Sequence, residues 1–505
     1  MKKSCLLLFT LLCACASPEK GCREMEGLLL PSEILGQEVS YSVLLPADYY
    51  KTPSRSYPVL YLFHCIGGDS STGIEYCDLA HLSDSLVRAR TMEPMIVVMP
   101  DLFLSYGCDT YDSTFRYESM LIEELMPEVE KTWRTDGRGA TMGFSMGGFA
   151  AMSLALRHPD LFCATAALSP SVRTDAQYMS ESPQEGWDSQ WGRIFGGLGK
   201  TGEERLTDYY RARCPLHLLE DMPAASLQDF GIFLTTGNRE GGSLAESNEA
   251  LHQVMSSRAI PHRWSVSDGG HDFAFWRKQL PDALRFVSCT MEQKPYKARQ
   301  VAEPARIHTR LKPELLDGAR LYRPEIGYET TRKYPYICVF GANDVAEKDI
   351  IAYYTAQLRQ GGATPIAFLF IDNDDVSAIR RAEAKYPALR QSQRMRSAIC
   401  FGSAAAPLQT LMMKENLFTN VVFAECSGLL PATEFAETLK KQKRYPRLIL
   451  ASRADFPSYS EHADLHVALK SAGLTHTHYA YEQGSGNLLW HFPEWLSAIN
   501  NKFHD

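Results

Sequence analysis

The stretch that decides the fold is Thr141-Met142-Gly143-Phe144-Ser145-Met146-Gly147-Gly148-Phe149. It places a serine between two glycines, after an apolar run and before a helix-like run that continues to Leu156. A G-x-S-x-G sequence between a strand and a helix is typical of a sharp turn that exposes the serine, and the glycines let neighbouring backbone pass closely. The N–H groups of the following helix can stabilise an oxyanion. We therefore predict that Ser145 is a nucleophile.

A serine nucleophile needs a base to take its proton, and around such turns the acid and the histidine follow the serine along the chain. His271 follows two glycines after a strand-like run, on a loop that can reach back to Ser145, and we predict that it is the base. His252 and His262 lie within helix-like and strand-like runs, where a packing or surface role is expected.

The acid should orient the imidazole and stabilise its charged form. Glu240 lies in the turn just past the strand-like run Gly231–Thr235, and we predict this role for it. Asp268 and Asp272 are alternatives, but they share the loop of His271 and are expected to point elsewhere.

An oxyanion hole needs two N–H donors. Met146, which follows the nucleophile, supplies one, and the amide of Cys65 or Ile66 is the candidate for the other because these residues follow the apolar run Tyr57–Phe63. We expect His64 to pin this loop by hydrogen bonds and the Cys65 thiol to serve in packing.

Apolar runs that read as buried strands alternate with helix-like stretches from about Cys22 to Cys289. Tyr57–Phe63, Met95–Met99 and Gly231–Thr235 are such strands, and Glu118–Trp133 has apolar residues at helical spacing. The alternation predicts an α/β fold with a mostly parallel sheet and helices on both faces.

The rest of the chain repeats this pattern after a polar, proline-containing segment. The predicted domains are a signal segment at 1–16, a catalytic domain at 22–289, a linker at 290–309 and a second, degenerate domain at 310–505. Glu461–Gly473 resembles Glu246–Arg258 at an offset of 215 residues, which aligns His271 with Gly486 and Glu240 with Asp455. The predicted turn serine aligns with Phe401 or Gly402, and we expect the neighbouring Ser403 to be a helix N-cap, so the second domain should lack catalysis.

Composition and the N-terminal residues indicate which partners and which cellular location to expect. The net charge of −8 argues against nucleic acid as a partner, and no metal-ligand spacing occurs among the 13 cysteines, so neither a metal nor another cofactor is expected. Lys2 and Lys3 precede a short apolar run to Ala16, which indicates an export signal. We favour a lipobox with Cys15 as a lipid anchor, while cleavage before Ser17 remains the alternative.

In combination, these motifs resemble the esterase D / tributyrin esterase-like family of α/β-hydrolases, which includes S-formylglutathione hydrolases, feruloyl and acetyl-xylan esterases and mycolyltransferases. The resemblance covers about residues 36–288. The matching stretches are Val59–His64 with Gly67-Gly68, Val97–Asp101, Glu123–Pro127, Gly143–Gly148, His158–Phe162, and Gly269–Asp272 with Trp276. The resemblance implies Ser145 as nucleophile, His271 as base and an acid at Glu240. Two features depart from the family: Cys65 stands where a glycine is usual, and a glutamate stands where the acid is usually aspartate.

These observations predict an exported serine esterase that acts through an acyl-enzyme on acylated carbohydrates, with acetyl or feruloyl esters as substrates. A bacterial periplasmic or cell-surface location is expected, with membrane attachment only through Cys15. The alternatives are an acyltransferase of the mycolyltransferase type, which would use the same residues, and a non-catalytic glycan-binding module.

Overall fold

The computed structural model of the chain describes residues 21–241, 243–307, 311–324, 333–389 and 395–500. The predicted signal segment and Cys15 lie outside these residues. Within them, sixteen strands form one mixed sheet, in the order β1-β2-β4-β3-β5-β6-β7-β8-β16-β15-β14-β13-β11-β12-β10-β9.

The N-terminal half, up to Met291, supplies eight of these strands. Its strands are β1 Arg23–Ser32, β2 Gln37–Leu45, β3 Tyr57–Phe63, β4 Ile96–Pro100, β5 Thr135–Phe144, β6 Ala164–Leu168, β7 Gly231–Gly237 and β8 Arg263–Ser267. Its helices are α1 Thr72–Cys77, α2 Leu79–Arg88, α3 Tyr117–Ser119, α4 Met126–Thr132, α5 Met146–Arg157, α6 Asp175–Ser180, α7 Gln184–Trp187, α8 Arg193–Phe195, α9 Asp208–Arg211, α10 Pro215–Asp221, α11 Leu244–Ser257 and α12 Phe273–Met291. A π-helical turn, Met120–Leu125, joins α3 to α4, so the predicted helix over 118–133 is present with a bulge in its middle.

The strands β4-β3-β5-β6-β7-β8 are parallel, and β1 and β2 are antiparallel additions at one edge. Every residue of β3 and of β4 is buried, because helices cover both faces of the sheet. The same holds along α5, where every residue from Met146 to Leu156 is buried. The predicted fold class is confirmed.

The C-terminal half has the same strand order. Its strands are β9 Glu314–Leu316, β10 Ala319–Tyr322, β11 Tyr336–Phe340, β12 Ala367–Ile371, β13 Arg396–Gly402, β14 Asn420–Cys426, β15 Arg447–Arg453 and β16 His476–Tyr481. Its helices are α13 Asp344–Arg359, α14 Ser377–Lys385, α15 Ala405–Lys414, α16 Ala432–Lys440, α17 Tyr459–Ser471 and α18 Phe492–Asn500. The order β9-β10-β12-β11-β13-β14-β15-β16 repeats β1-β2-β4-β3-β5-β6-β7-β8 step by step.

The two halves meet edge to edge, where β8 and β16 pair antiparallel at Val266 and Ala480. On one face of this seam, α11 lies against α17. Tyr459 is fully surrounded there: its hydroxyl donates to Glu249 Oε2 at 3.1 Å and accepts from Trp264 Nε1 at 2.9 Å. Both halves therefore share a buried polar contact as well as a continuous sheet.

Two matching histidine pairs flank this seam. His252 Nδ1 lies 2.7 Å from His262 Nε2, and His466 Nδ1 lies 2.7 Å from His476 Nε2. The members of the second pair follow those of the first by 214 residues (466 − 252 and 476 − 262). The predicted offset of 215 is therefore wrong by one residue here, and His271 aligns with Ser485 rather than Gly486.

We expect two histidines of the C-terminal half near this seam, His476 and His462, to make the stability of the fold sensitive to acid. Burial lowers the pKa of His476 to about 4 and that of His462, which accepts a hydrogen bond from the Cys426 amide, to about 3. Histidines of the unfolded chain titrate near about 6.5. The unfolded chain thus binds more protons between these values, so the contribution to stability is complete above about pH 6.5 and falls as the pH drops, by about 1.4 kcal/mol per pH unit for each histidine. Glu482, whose pKa burial raises to about 7, titrates with the opposite sign and offsets one of them.

The urea midpoint of unfolding, monitored by tryptophan fluorescence at several pH values between about pH 7.5 and about pH 5.5, measures this effect. The unfolding midpoint should fall with pH, and His476→Gln should make that dependence shallower. His81→Gln, a change at an exposed position of α2, serves as the matched control and should leave the slope as in the wild type. A midpoint that is constant or rises toward low pH would show that these histidines are not held neutral by the fold.

Candidate active site

Ser145 occupies a sharp turn between β5 and α5. Its φ of 55° and ψ of −113° are strained for a residue with a side chain. A Cβ on Gly143 would lie 2.1 Å from the carbonyl oxygen of Gly147, and one on Gly147 would lie 2.2 Å from that of Phe63. Glycine is required at both positions by these backbone contacts, which is the reason predicted from the sequence.

The side chain of His271 reaches Ser145 from the loop between β8 and α12. Its Nε2 lies 2.8 Å from the Ser145 hydroxyl oxygen. The loop is shaped by Asp272, which caps α12 by accepting from the Phe275 amide at 2.8 Å, and the Trp276 ring meets the imidazole edge to face at 5.1 Å. The imidazole keeps 30% of its surface exposed, so the solvent can reach it.

Glu240 completes the chain of contacts from just past β7. Its Oε2 lies 2.8 Å from His271 Nδ1, and its side chain is fully buried. The two sequence alternatives have other partners: Asp268 pairs with Arg239 at 3.1 Å, and Asp272 is the helix cap. The structure thus brings Ser145, His271 and Glu240 into one line of hydrogen bonds.

Ser169 is a residue of this site that the sequence reasoning missed. It directly follows β6 with a φ of 48°, and its hydroxyl donates to Glu240 Oε1 at 2.5 Å while accepting from Trp276 Nε1 at 3.2 Å. With the hydroxyl donor on Oε1 and His271 on Oε2, both oxygens of the buried carboxylate are engaged. A polar residue at the carboxyl end of the strand beside β5 was the available signal, because the ends of neighbouring parallel strands meet at one edge.

The loop after β3 lies beside the start of α5, because Gly147 packs directly on the backbone of Phe63 and His64. His64 holds this loop: its Nε2 accepts from the Leu102 amide at 2.9 Å, and its Nδ1 lies 2.8 Å from the Cys65 carbonyl. The amides of Met146 and of Cys65 or Ile66 remain the predicted oxyanion donors. Burial raises the pKa of the Cys65 thiol, which disfavours the thiolate and agrees with a packing role.

The corresponding turn of the C-terminal half carries no serine. Gly402 follows β13 residue Phe401 as Ser145 follows Phe144, and both have a φ of 55°. The predicted N-cap role of Ser403 is wrong, since Ala404 is the N-cap of α15. The two turns thus share the positive φ, but α15 begins two residues later after Gly402 than α5 does after Ser145, and Gly402 carries no hydroxyl.

Within the described ranges, no group of three or more histidine, cysteine, aspartate or glutamate side chains is arranged to hold a metal ion. In the same part of the chain, no helix combines the length and apolar character needed to cross a bilayer.

The strand order of the N-terminal half and the serine on a strained turn between β5 and α5 define an α/β-hydrolase. A family model described as putative esterase matches residues 32–287. The chain therefore belongs to this esterase family, as its motifs predicted, and the enzyme class that the family represents is carboxylic ester hydrolase.

Individual relatives agree with this placement. The chain is 35% identical over 260 residues to esterase Rv1288 of Mycobacterium tuberculosis, covering 47% of this chain and 54% of the relative. It is 32% identical over 146 residues to an endo-1,4-beta-xylanase/feruloyl esterase of Xylanibacter ruminicola, covering 26% of this chain and 19% of the relative. The chain thus spans about half the length of the mycobacterial esterase and less of the xylanase.

Solved structures resemble about half of the chain. A ferulic acid esterase shares 25% identity over 53% of this chain and 98% of its own, with a TM-score of 0.45. An S-formylglutathione hydrolase from Staphylococcus aureus shares 20% identity over 53% of this chain and 99% of its own, with a TM-score of 0.43.

Proposed function

We propose that this protein is an exported serine carboxylesterase that hydrolyses acetyl or feruloyl esters of carbohydrates through an acyl-enzyme. The observation that carries the proposal is the line of hydrogen bonds from Ser145 through His271 to the buried Glu240, with 2.8 Å at each step. These are the distances at which a serine nucleophile, its base and the acid that orients the base act together.

In the first half of the proposed reaction, the Ser145 oxygen attacks the ester carbonyl carbon while His271 Nε2 takes the hydroxyl proton. Glu240 holds the Nδ1–H of the imidazole and stabilises the imidazolium that forms. The carbonyl oxygen becomes an oxyanion, which the Met146 amide and the Cys65 or Ile66 amide stabilise. When the tetrahedral intermediate collapses, the C–O bond breaks and His271 donates its proton to the leaving alcohol.

In the second half, water attacks the acyl-Ser145 carbonyl and gives its proton to His271. The second tetrahedral intermediate collapses with release of the acid, and the proton returns to Ser145. No cofactor is needed for either half, because every proton transfer passes through the one imidazole.

The rim of the site supports an apolar acyl group. Ile66 is 47% exposed on the candidate oxyanion loop, and Phe103 is 64% exposed next to Leu102, whose amide binds His64 of that loop. We propose that these two side chains, on loops that this hydrogen bond joins, contact the acyl group. The relative named for feruloyl esterase activity agrees with an aromatic acyl group.

A substrate panel tests the proposal. Acetylated xylan, a feruloylated arabinoxylan oligosaccharide and p-nitrophenyl butyrate would each be incubated with the full chain, and released acids and sugars identified by mass spectrometry. We expect release of acetate or ferulate from the carbohydrates. Transfer of the acyl group to a sugar acceptor in place of water would make the protein an acyltransferase, and binding of the oligosaccharide without turnover of any ester would make it a glycan-binding module.

Export and lipidation of Cys15 belong to the same proposal, supported by Lys2, Lys3 and the apolar run to Ala16. Fractionation of bacteria that express the full chain tests them. Wild-type protein should be found with membranes and Cys15→Ala should not, and wild-type protein in the soluble cytoplasmic fraction would contradict export.

A further inference from the structure

A residue of the C-terminal half reaches the candidate active site of the N-terminal half. The Nζ of Lys470, in the last turn of α17, donates to the main-chain carbonyl oxygen of Glu240 at 3.0 Å. The two residues are 230 positions apart in the chain. The carboxylate of Glu240 holds His271, so Lys470 contacts the main chain of the residue that orients the proposed base.

The turn that carries Glu240 is held firmly up to Arg239, whose amide donates to the Gly269 carbonyl at 2.8 Å, and more loosely from Glu240 onward. The chain continues into Gly241, which is exposed and has no atom within 4 Å of where its Cβ would be. The amide of Glu240 itself makes only a long contact, 3.4 Å, to the Gly237 carbonyl. Beyond the turn, Gln177 holds the Ser243 carbonyl at 3.2 Å. Lys470 adds a contact at the main-chain carbonyl of Glu240, where the turn is more loosely held, and this contact helps to fix the position of the Glu240 Cα.

The helix that carries Lys470 is itself anchored to the N-terminal half. At its first residue, the buried Tyr459 bonds to Glu249 and Trp264, and α17 then runs along α11. A side chain near the end of a helix held in this way has a fixed origin, unlike a lysine on a free surface.

The surroundings of the ammonium group agree with a built contact. Lys470 is half-buried, and burial lowers its pKa below the ordinary value while the carboxylates of Glu240 and Glu246 oppose that change. The two carboxylates thus attract the ammonium, whose hydrogen bond goes to the Glu240 carbonyl.

We propose that Lys470 is a positioning residue for the acid of the N-terminal site, so that the C-terminal half, whose own turn carries Gly402, acts as a support for the active site of its neighbour. This inference rests on the proposed function, because it needs Glu240 to be the acid. It assigns the second half a role in catalysis by placement, without contact with the substrate.

Three variants of the full chain test the proposal with p-nitrophenyl acetate as substrate. Lys470→Met removes the donor and keeps the apolar stem, and should lower kcat about tenfold while KM stays within about twofold, because only alignment is lost. Lys470→Arg restores a charged donor and should recover most of kcat. Lys440→Met removes an exposed lysine at the end of the neighbouring helix α16 and is the matched control, which should behave as the wild type.

Thermal unfolding of each variant separates placement from general stability, and Tm of Lys470→Met should stay within about 2 °C of the wild type. If Lys470→Met does not fold, Lys470→Gln, which keeps a shorter neutral donor, replaces it with the same expected loss of kcat. Unchanged kcat in the folded variant, or a loss that Lys470→Arg does not recover, would overturn the positioning role. If Ser145→Ala is as active as the wild type, the proposed serine esterase function is wrong. This result distinguishes failure of the proposed function from failure of the positioning role of Lys470.

Discussion

Replacing Ser145 by alanine is expected to lower kcat for p-nitrophenyl acetate by roughly 10⁴- to 10⁶-fold. The substitution removes the oxygen that lies 2.8 Å from His271 Nε2 and leaves no nucleophile on the turn. The backbone strain is not a reason for misfolding, since alanine places the same Cβ on the same φ of 55° as serine. The loss should therefore appear in folded protein.

The matched control is Ser403→Ala, which deletes the exposed hydroxyl beside the second turn. This variant should keep wild-type kcat and KM, because the apex of that turn is Gly402. Quenching the wild-type reaction and mapping peptides should place a single acyl group on Ser145. Label on another residue, or retained turnover in Ser145→Ala, would show that the ester bond is cleaved elsewhere.

The central strands could be predicted from the sequence where they are buried on both faces, as β3 and β4 are. The run Tyr57–Phe63 is apolar along its whole length, and the structure gives β3 the same limits. Ser145, Glu240 and His271 could be selected for a related reason, since each follows a strand at the edge where functional side chains collect. Their convergence in space then follows from the strand order.

Other features depend on contacts that no local pattern contains. Ser169 and Lys470 reach Glu240 from 71 and 230 residues away, and neither belongs to a motif. The pairing of β8 with β16 was likewise invisible, because an edge strand that pairs with another half has the same alternating burial as one that borders solvent. The sequence offset of 215 matches Glu246 with Glu461, whereas the structure matches His252 with His466 at 214, and no local pattern decides between the two alignments.

Replacing Glu240 by glutamine is the second large effect that we expect, a fall in kcat of roughly 10³- to 10⁴-fold. Ser169 and the Gly237 amide both donate toward Oε1, so the amide oxygen of a glutamine would take that place. Its NH₂ group would then face His271 Nδ1 and donate to it. The imidazole would be forced into the tautomer with hydrogen on Nε2, which cannot accept the proton of Ser145.

Glu240→Asp tests the length of the acid side chain, because the family resemblance implies aspartate as the usual residue. The carboxylate would withdraw by about 1.5 Å, one C–C bond, while Lys470 holds the main-chain carbonyl and keeps the backbone from following. We expect a loss of roughly 10- to 100-fold, smaller than that of glutamine because the charge remains near the imidazole.

Asp268→Asn is the matched control for both changes. It neutralises one of the two other carboxylates considered for the role, and this carboxylate pairs with Arg239 at the surface. Its kcat should stay within about twofold of the wild type, as for an exposed ion pair. The decisive comparison is the ranking of the three variants. If Asp268→Asn loses more activity than Glu240→Gln, the imidazole of His271 is oriented by the aspartate on its own loop and the arrangement around Glu240 is structural.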